Sequence, residues 1–135
     1  AIAYQLLIYP ATDAAMDTPS QSENAEGYLL TKDSMVWFWN HYLGKGDEHR
    51  TNPYAAPAHA DNLAGLPPAC IITAEFDPLR DEGEAYAKQL KAAGVPTVVQ
   101  RFDSMIHGFF GMTDLLAGSR EAMTLAAGEL KKALN

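Results

Sequence analysis

Three short stretches of the chain are rich in apolar residues and predict buried strands. They are residues 4–9 (YQLLIY), 70–76 (CIITAEF) and 97–102 (TVVQRF). The first two are almost continuously apolar, which is typical of strands covered on both faces, as in a parallel sheet. The third mixes polar and apolar residues and is predicted to lie at an edge of the sheet.

Helical spacing appears in three further stretches. The first begins after the candidate cap Thr31 and ends at Gly44. Its apolar positions follow the i, i+3, i+4 pattern and are Met35, Phe38, Trp39, Tyr42 and Leu43. The second begins near Leu79, carries acids early and lysines late, and ends before Gly94. The third covers about 119–134, and the alternation of strands with helices predicts an α/β fold.

Two long stretches fall outside this alternation, residues 11–30 and 45–68. Loops of this length inside a compact domain are usually functional or disordered, and the sequence leaves both interpretations open for the second. The aromatic group at 37–39 is predicted to be mostly core, with a position of Trp37 beside a substrate cleft as the alternative.

Composition and charge exclude several classes of function. Lys plus Arg number 10 against 17 Asp plus Glu, giving a net charge of −7, so nucleic acid and anionic membranes are not expected as partners. The single cysteine, Cys70, excludes an intrachain disulfide framework and a cysteine-rich zinc site. No apolar run approaches the ~18 residues that span a bilayer, and no signal-peptide pattern is present, which predicts a cytoplasmic protein.

An acid and a histidine follow neighbouring strands of the predicted sheet. Asp77 comes directly after the second strand, and His107 lies a few residues after the third. Ligands of open parallel sheets bind beyond the carboxyl ends of the strands, and adjacent strands lie about 4.8 Å apart. The two side chains are therefore expected to meet, as the orienting half of a Ser-His-Asp triad does.

The sequence around Asp77 and His107 resembles that of a known family. Asp-Pro-Leu-Arg-Asp-Glu-Gly at 77–83, followed by a strand and His-Gly-Phe at 107–109, is similar to the C-terminal part of the hormone-sensitive-lipase-like esterases, which have the α/β-hydrolase fold. Further matching segments are Tyr9-Pro10, Glu23-Asn24, Gly27-Tyr28, Leu30-Thr31 and Gly65-Leu66-Pro67-Pro68-Ala69. The similarity covers essentially the whole chain.

The resemblance implies catalytic roles. Asp77 corresponds to the triad acid and His107 to the general base. Asp81 is the rival acid, although a first-turn carboxylate that complements the helix dipole explains it equally simply, and Asp77 is favoured. Capping of the following helix is compatible with the catalytic role of Asp77. Phe109 and Phe110 are candidates to line the acyl or alcohol pocket, with core packing expected as readily for one of them.

No cofactor and no metal are implied. Three further histidines, His41, His49 and His59, lack the short regular spacing of three or four ligands that a metal site requires. The expected partner is a small-molecule ester substrate. The resemblance also implies a possible homodimer through strand 97–102, since an edge strand without a partner needs protection.

The nucleophile is missing from the sequence. The serines are Ser20, Ser22, Ser34, Ser104 and Ser119, and none lies in the G-x-S-x-G motif of the fold. A His-Gly-Gly-Gly stretch for the oxyanion hole is missing too. The resemblance places both motifs before Ala1, so the chain is expected to be the C-terminal part of one α/β-hydrolase domain: three parallel strands with flanking helices, with 11–30 contributing to the cap. The N-terminal half is then a required partner, and the chain alone is expected to be inactive.

Three functions remain open from the residues. The leading interpretation is a carboxylesterase or lipase-like serine hydrolase, of which this chain supplies Asp and His. A non-catalytic ligand-binding or receptor-like relative is the second, although retention of both Asp77 and His107 argues against it. A serine peptidase of the same fold is the third, and the run at 77–82 fits it less well.

Overall fold

The sheet confirms the predicted order and direction of the strands. A computed structural model describes residues 2–135. Its strands are β1 (Gln5–Ile8), β2 (Ala69–Phe76) and β3 (Thr97–Ile106), all parallel and in the order β1-β2-β3. The central position of β2 explains its continuous run of apolar residues, because both of its faces and both of its edges are covered. The mixed composition of β3 agrees with its place at an edge.

The helices lie close to the predicted positions, with one addition. They are α1 (Pro19–Glu23), α2 (Lys32–Leu43), α3 (Arg80–Ala92) and α4 (Ala117–Leu134), with single 3-10 turns at Pro57–His59 and Phe109–Gly111. Thr31 caps α2 as expected, because its Oγ1 accepts a hydrogen bond from the Ser34 amide at 3.1 Å. The short α1 was not predicted, since five residues are too few to show a helical period. None of the helices in residues 2–135 is both long and apolar enough to cross a bilayer.

Alternate side chains of β2 enter two separate cores. Ala69 and Ile71 face α3 and pack with Tyr86, Ala87 and Leu90. Cys70 and Ile72, which follow them in the sequence, point to the opposite face, as the two-residue period of a strand requires. There the buried cluster against α4 consists of Cys70, Ile72, Ala74, Phe109, Ala122 and Ala126. The chain is therefore a sheet with helices on both faces, the α/β arrangement that the sequence predicted.

Phe109 is the largest side chain in the α4 core and is fully buried. Replacing it with alanine should lower the free energy of unfolding of the chain by about 3–5 kcal/mol, because the cavity adds to the lost burial of the ring. Phe38 is a matched control, since its ring is half exposed and Phe38→Ala should cost under about 1 kcal/mol. Urea denaturation of both variants measures the difference, and equal losses would contradict the assigned packing.

The aromatic group on α2 is mostly outside the core, so that prediction was wrong. Trp37 is 56% and Phe38 51% exposed, whereas Trp39 is buried. The reason is that the stripe of α2 that faces the core is narrow. The i, i+4 pair Met35 and Trp39 packs in the buried cluster with Leu79, and Leu43 packs against it, whereas Phe38 lies outside that cluster.

The third strand continues four residues beyond its predicted end. A register shift lies between Ala74 and Phe76 of β2, after which Phe76 pairs with Ile106. Ser104 adopts a positive φ of 61° within the shift, and its amide donates to Glu75 Oε2 at 2.6 Å. This irregularity lets polar residues interrupt the strand without ending it. As a result, His107 follows β3 directly.

Candidate active site

The two predicted triad residues meet at the carboxyl ends of β2 and β3. His107 Nδ1 lies 2.8 Å from Asp77 Oδ2. The Asp77 side chain is 0% exposed, whereas that of His107 is 24% exposed. The structure therefore brings the acid and the histidine together, with the acid shielded from solvent and the imidazole accessible.

Asp77 uses its two carboxylate oxygens for different partners. Oδ1 accepts a hydrogen bond from the Leu79 amide at 2.9 Å, which closes the turn into α3. Its main-chain carbonyl accepts from the Arg80 amide at 3.1 Å and from Asn24 Nδ2 at 3.3 Å. Oδ2 remains for His107. The side chain of Asp77 thus both closes the turn before α3 and orients the imidazole of His107. These two roles are compatible, as the sequence indicated.

The contact with Asp77 determines the tautomer of His107. A carboxylate only accepts hydrogen bonds, so Nδ1 carries the shared proton, and in the neutral imidazole the lone pair lies on Nε2. Within residues 2–135, Nε2 has no hydrogen-bond partner. An imidazole held in this way can accept a proton at Nε2 from a group outside the described residues.

Gly108 makes the turn after His107. Its φ is +87°, and a Cβ there would lie 3.3 Å from Leu29 Cδ2. A residue with a side chain would therefore be strained in its backbone and crowded against the 25–31 loop. The His-Gly pair of the motif follows from this geometry.

Asp81, the rival acid, has other partners. Its Oδ2 accepts from the Ser20 amide at 2.8 Å and its Oδ1 from Arg80 Nε at 2.8 Å. Burial opposes the charge, but the hydrogen bonds from Arg80 and Ser20 hold the pKa of Asp81 below its usual range. Asp81 therefore ties α1 to the first turn of α3, and Asp77 is the acid that faces His107.

Phe109 and Phe110, which follow His107 and Gly108, both pack in the α4 core but differ in burial. Phe109 is fully buried, and its ring centroid lies 5.4 Å from that of Phe102. Phe110 is only partly buried, and its carbonyl accepts a hydrogen bond from Ser119 Oγ at 2.8 Å. Phe109 occupies the core position that the sequence allowed for one of the pair. Contact with a substrate stays a prediction, better suited to Phe110.

The remaining histidines lie away from this site. His41 packs against Trp37 with ring centroids 4.1 Å apart, His49 is 3.5 Å from Glu48, and His59 is 2.9 Å from Asp13. Across residues 2–135, no group of three or more His, Cys, Asp or Glu side chains is placed to hold a metal ion.

Sequence reasoning missed an aromatic neighbour of His107. The ring of Tyr9 lies 4.3 Å from that of His107, centroid to centroid, at an interplanar angle of 50°. Tyr9 follows β1 and precedes Pro10, and its φ of 37° is unusual for a non-glycine residue. The Tyr9-Pro10 pair was visible in the sequence as part of the family pattern, but nothing in it indicated the contact with His107.

It also missed a buried carboxylate on α3. Glu82 is 2% exposed. Its Oε1 accepts from the amides of Thr12 at 2.8 Å and Asp13 at 3.2 Å, and its Oε2 accepts from Gln21 Nε2 at 3.3 Å. Burial raises the pKa of Glu82 to about 7, against the lowering effect of these hydrogen bonds. Glu82 thus joins the 11–30 segment to α3.

The raised pKa of Glu82 makes stability depend on pH. The stabilisation is fully present below the unfolded pKa of about 4.5 and is lost as the pH rises from there through the folded pKa of about 7, because over that range the folded state binds the extra proton. Relative to Glu82→Gln, the free energy of unfolding of the wild type should fall by up to about 3 kcal/mol between pH 4.5 and 7. Urea denaturation at several pH values measures this difference, and parallel pH curves for the two proteins would contradict it.

Comparisons with known proteins identify the family of this chain. A family model described as alpha/beta hydrolase fold matches residues 1–111. Carboxylic ester hydrolase LipN of Mycobacterium tuberculosis is 44% identical over 115 residues, which are 85% of this chain and 31% of that protein. Carboxylesterase NlhH of the same organism is 40% identical over 137 residues, covering 99% of this chain and 43% of that protein.

Solved structures give the same result. A thermostable esterase from Pseudomonas putida superposes with a TM-score of 0.94 at 44% identity, over 100% of this chain and 43% of that one. A thermostable carboxylesterase cloned from a metagenomic library superposes with a TM-score of 0.92 at 43% identity, over 99% of this chain and 46% of that one. The chain spans less than half the length of these relatives.

Proposed function

The chain belongs to the alpha/beta hydrolase family, as one of its hormone-sensitive-lipase-like members, and we propose that it supplies the acid and the general base of a carboxylic ester hydrolase. The observation that carries the proposal is the 2.8 Å contact between His107 Nδ1 and the buried Asp77 Oδ2. It leaves Nε2 free at the edge of the sheet where ligands of α/β folds bind.

The pair performs the proton transfers of ester hydrolysis. As a serine hydroxyl attacks the ester carbonyl, His107 Nε2 takes its proton, and Asp77 stabilises the imidazolium that forms. When the tetrahedral intermediate collapses, the imidazolium returns the proton to the departing alcohol and an acyl-serine remains. Water then attacks the acyl group with the same base, releasing the carboxylic acid and restoring the serine.

The serine of this reaction is proposed to come from outside residues 1–135. Ser20 Oγ donates to the Pro78 carbonyl, Ser34 Oγ pairs with Thr31, and Ser119 Oγ donates to the Phe110 carbonyl. These hydroxyls serve the ends of helices and have no contact with His107. In the chain order serine, acid, histidine of this fold, the nucleophile precedes Asp77.

The domain organisation follows from the same proposal. Residues 1–135 form the C-terminal part of one hydrolase domain, and 11–30 contribute to the cap over its active site. The attachment of this segment to α3 through Asp81 and Glu82 supports the assignment, because it fixes residues 12–24 beside the turn that carries Asp77. The greater length of the relatives supports it as well.

A fusion protein tests the function. The part of carboxylesterase NlhH that precedes its matched segment is joined to Ala1, and hydrolysis of p-nitrophenyl acetate is compared with that of a p-nitroanilide amide. Ester hydrolysis at a rate well above that of the amide is the expected result. Faster amide hydrolysis would favour the peptidase instead, and binding of a substrate analogue without turnover of either compound would favour a binding protein. Replacing the nucleophilic serine in the NlhH part with alanine is the control.

A second copy of the chain is the proposed partner of β3. This strand is an edge of the described sheet, with open hydrogen-bonding groups along it. Sedimentation of the fusion protein should give the mass of a dimer, and a monomer at micromolar concentration would contradict the pairing.

A further inference from the structure

We propose that Tyr9 is a positioning residue for His107, and that its aromatic ring rather than its hydroxyl orients the imidazole. The proposal rests on the role of His107 as the base. It adds a third group to the pair that the motifs identify.

A single hydrogen bond does not fix an imidazole ring. The contact between Nδ1 and Asp77 Oδ2 restrains the imidazole at one atom, but it leaves coupled rotation about the Cα–Cβ and Cβ–Cγ bonds of His107 open. The ring of Tyr9, 4.3 Å away and inclined by 50°, limits this rotation by direct contact. The direction of the Nε2 lone pair, which must face the attacking hydroxyl, is then determined by Asp77 and Tyr9 together.

Tyr9 is itself held by rigid neighbours. Its amide donates to the Ile72 carbonyl at 2.7 Å, which extends the pairing of β1 with β2 to the end of the strand. The following Pro10 packs beside Gly83 of α3, where a Cβ would lie 3.6 Å from the proline Cδ. On the other side, the ring of Tyr9 lies 6.2 Å, centroid to centroid, from that of the buried Phe109. A ring supported in this way can restrain another.

The hydroxyl of Tyr9 is not needed for this role. It has no hydrogen-bond partner within residues 2–135. Burial, with the charge of Asp77, raises its pKa and keeps the phenol neutral.

Two variants separate the ring from the hydroxyl. Tyr9→Phe keeps the ring, and Tyr9→Leu removes it while retaining an apolar side chain. Tyr4→Leu is the matched control, because Tyr4 packs against the same core but its hydroxyl donates to Glu129 of α4. The fusion protein is labelled at histidine, and the His107 signals are assigned by their loss in His107→Gln.

Nuclear magnetic resonance then measures the imidazole directly. In the wild type we expect nuclear Overhauser contacts between the Tyr9 and His107 rings and a rigid imidazole order parameter. The order parameter should be retained in Tyr9→Phe and Tyr4→Leu and fall in Tyr9→Leu, with the amide spectrum of β2 unchanged. Missing ring-to-ring contacts in the wild type, or an unchanged order parameter in Tyr9→Leu, would overturn the proposal. The ring-to-ring contacts are measured in the wild type, so that test does not depend on the folding of a variant.

Kinetics of the fusion protein give the second readout. Tyr9→Leu should lower kcat on the order of 10- to 100-fold with KM changed less than about twofold, because a misdirected base slows chemistry more than binding. Tyr9→Phe should recover most of the rate. A rise in KM alone would overturn the proposal, since it would make Tyr9 a substrate contact. The resonance experiment requires no turnover, so it separates failure of this proposal from failure of the esterase assignment.

Discussion

Replacing His107 with alanine in the fusion protein should lower kcat by about 10⁴- to 10⁶-fold. The nucleophile, base and acid of a triad act as a unit, so loss of the base removes nearly the whole contribution of all three. The remaining rate comes from binding and from the oxyanion hole. Steady-state hydrolysis of p-nitrophenyl acetate by the purified variant measures the loss, and its circular dichroism spectrum establishes that it is folded.

The chain offers a matched control for this substitution. His59 Nε2 lies 2.9 Å from Asp13 Oδ1, so it is a second His–Asp pair with similar atoms at a similar distance. His59 lies in the connection between α2 and β2, whereas His107 follows a strand of the sheet. His59→Ala should leave kcat within about twofold of the wild type. A variant of His107 that keeps a tenth of the rate, or equal losses at His59 and His107, would exclude His107 as the base.

Replacing Asp77 with asparagine should lower kcat by about 10⁴-fold while the fold is kept. The amide oxygen of asparagine can still accept the hydrogen bond from the Leu79 amide. Its NH₂ group, however, donates to Nδ1 of His107, which forces the proton onto Nε2 and removes the lone pair that acts as the base. The nitrogen chemical shifts of His107 should show this change of tautomer, together with the loss of rate.

Asp81→Asn is the comparison that tests the choice between the two acids. Asp81 lies one helical turn beyond Asp77, but its carboxylate binds the Ser20 amide and Arg80. Its replacement should weaken the attachment of α1 to α3 and leave kcat within about threefold of the wild-type value. If Asp81→Asn reduced kcat more than Asp77→Asn, the acid would be misassigned.

Much of the site followed from sequence because it depends on strand order. The apolar runs at 4–9 and 70–76 indicated buried parallel strands, and neighbouring parallel strands end at the same edge of the sheet. An acid after one strand and a histidine after the next were therefore expected to meet. The resemblance that these motifs indicated is confirmed by the family match over residues 1–111.

The parts that sequence did not predict depend on contacts between distant side chains. The extension of β3 to Ile106 requires the register shift opposite Phe76, and a run such as Asp103-Ser104 looks like the end of a strand. The ring of Tyr9 meets His107 across 98 positions of the chain. The burial of Glu82 results from three donors in the 11–30 segment, whereas its own surroundings in the sequence are those of an ordinary first helical turn.

The most direct test compares the initial rate of p-nitrophenyl acetate hydrolysis by the 135-residue chain with that by the fusion protein. Asp77 and His107 are proposed to form the acid and base of a triad whose serine lies outside this chain. The fusion protein should therefore hydrolyse the ester, and the chain alone should show no rate above that of the buffer. Hydrolysis by the chain alone that disappears in His107→Ala would contradict the proposal, because the nucleophile would then lie within residues 1–135.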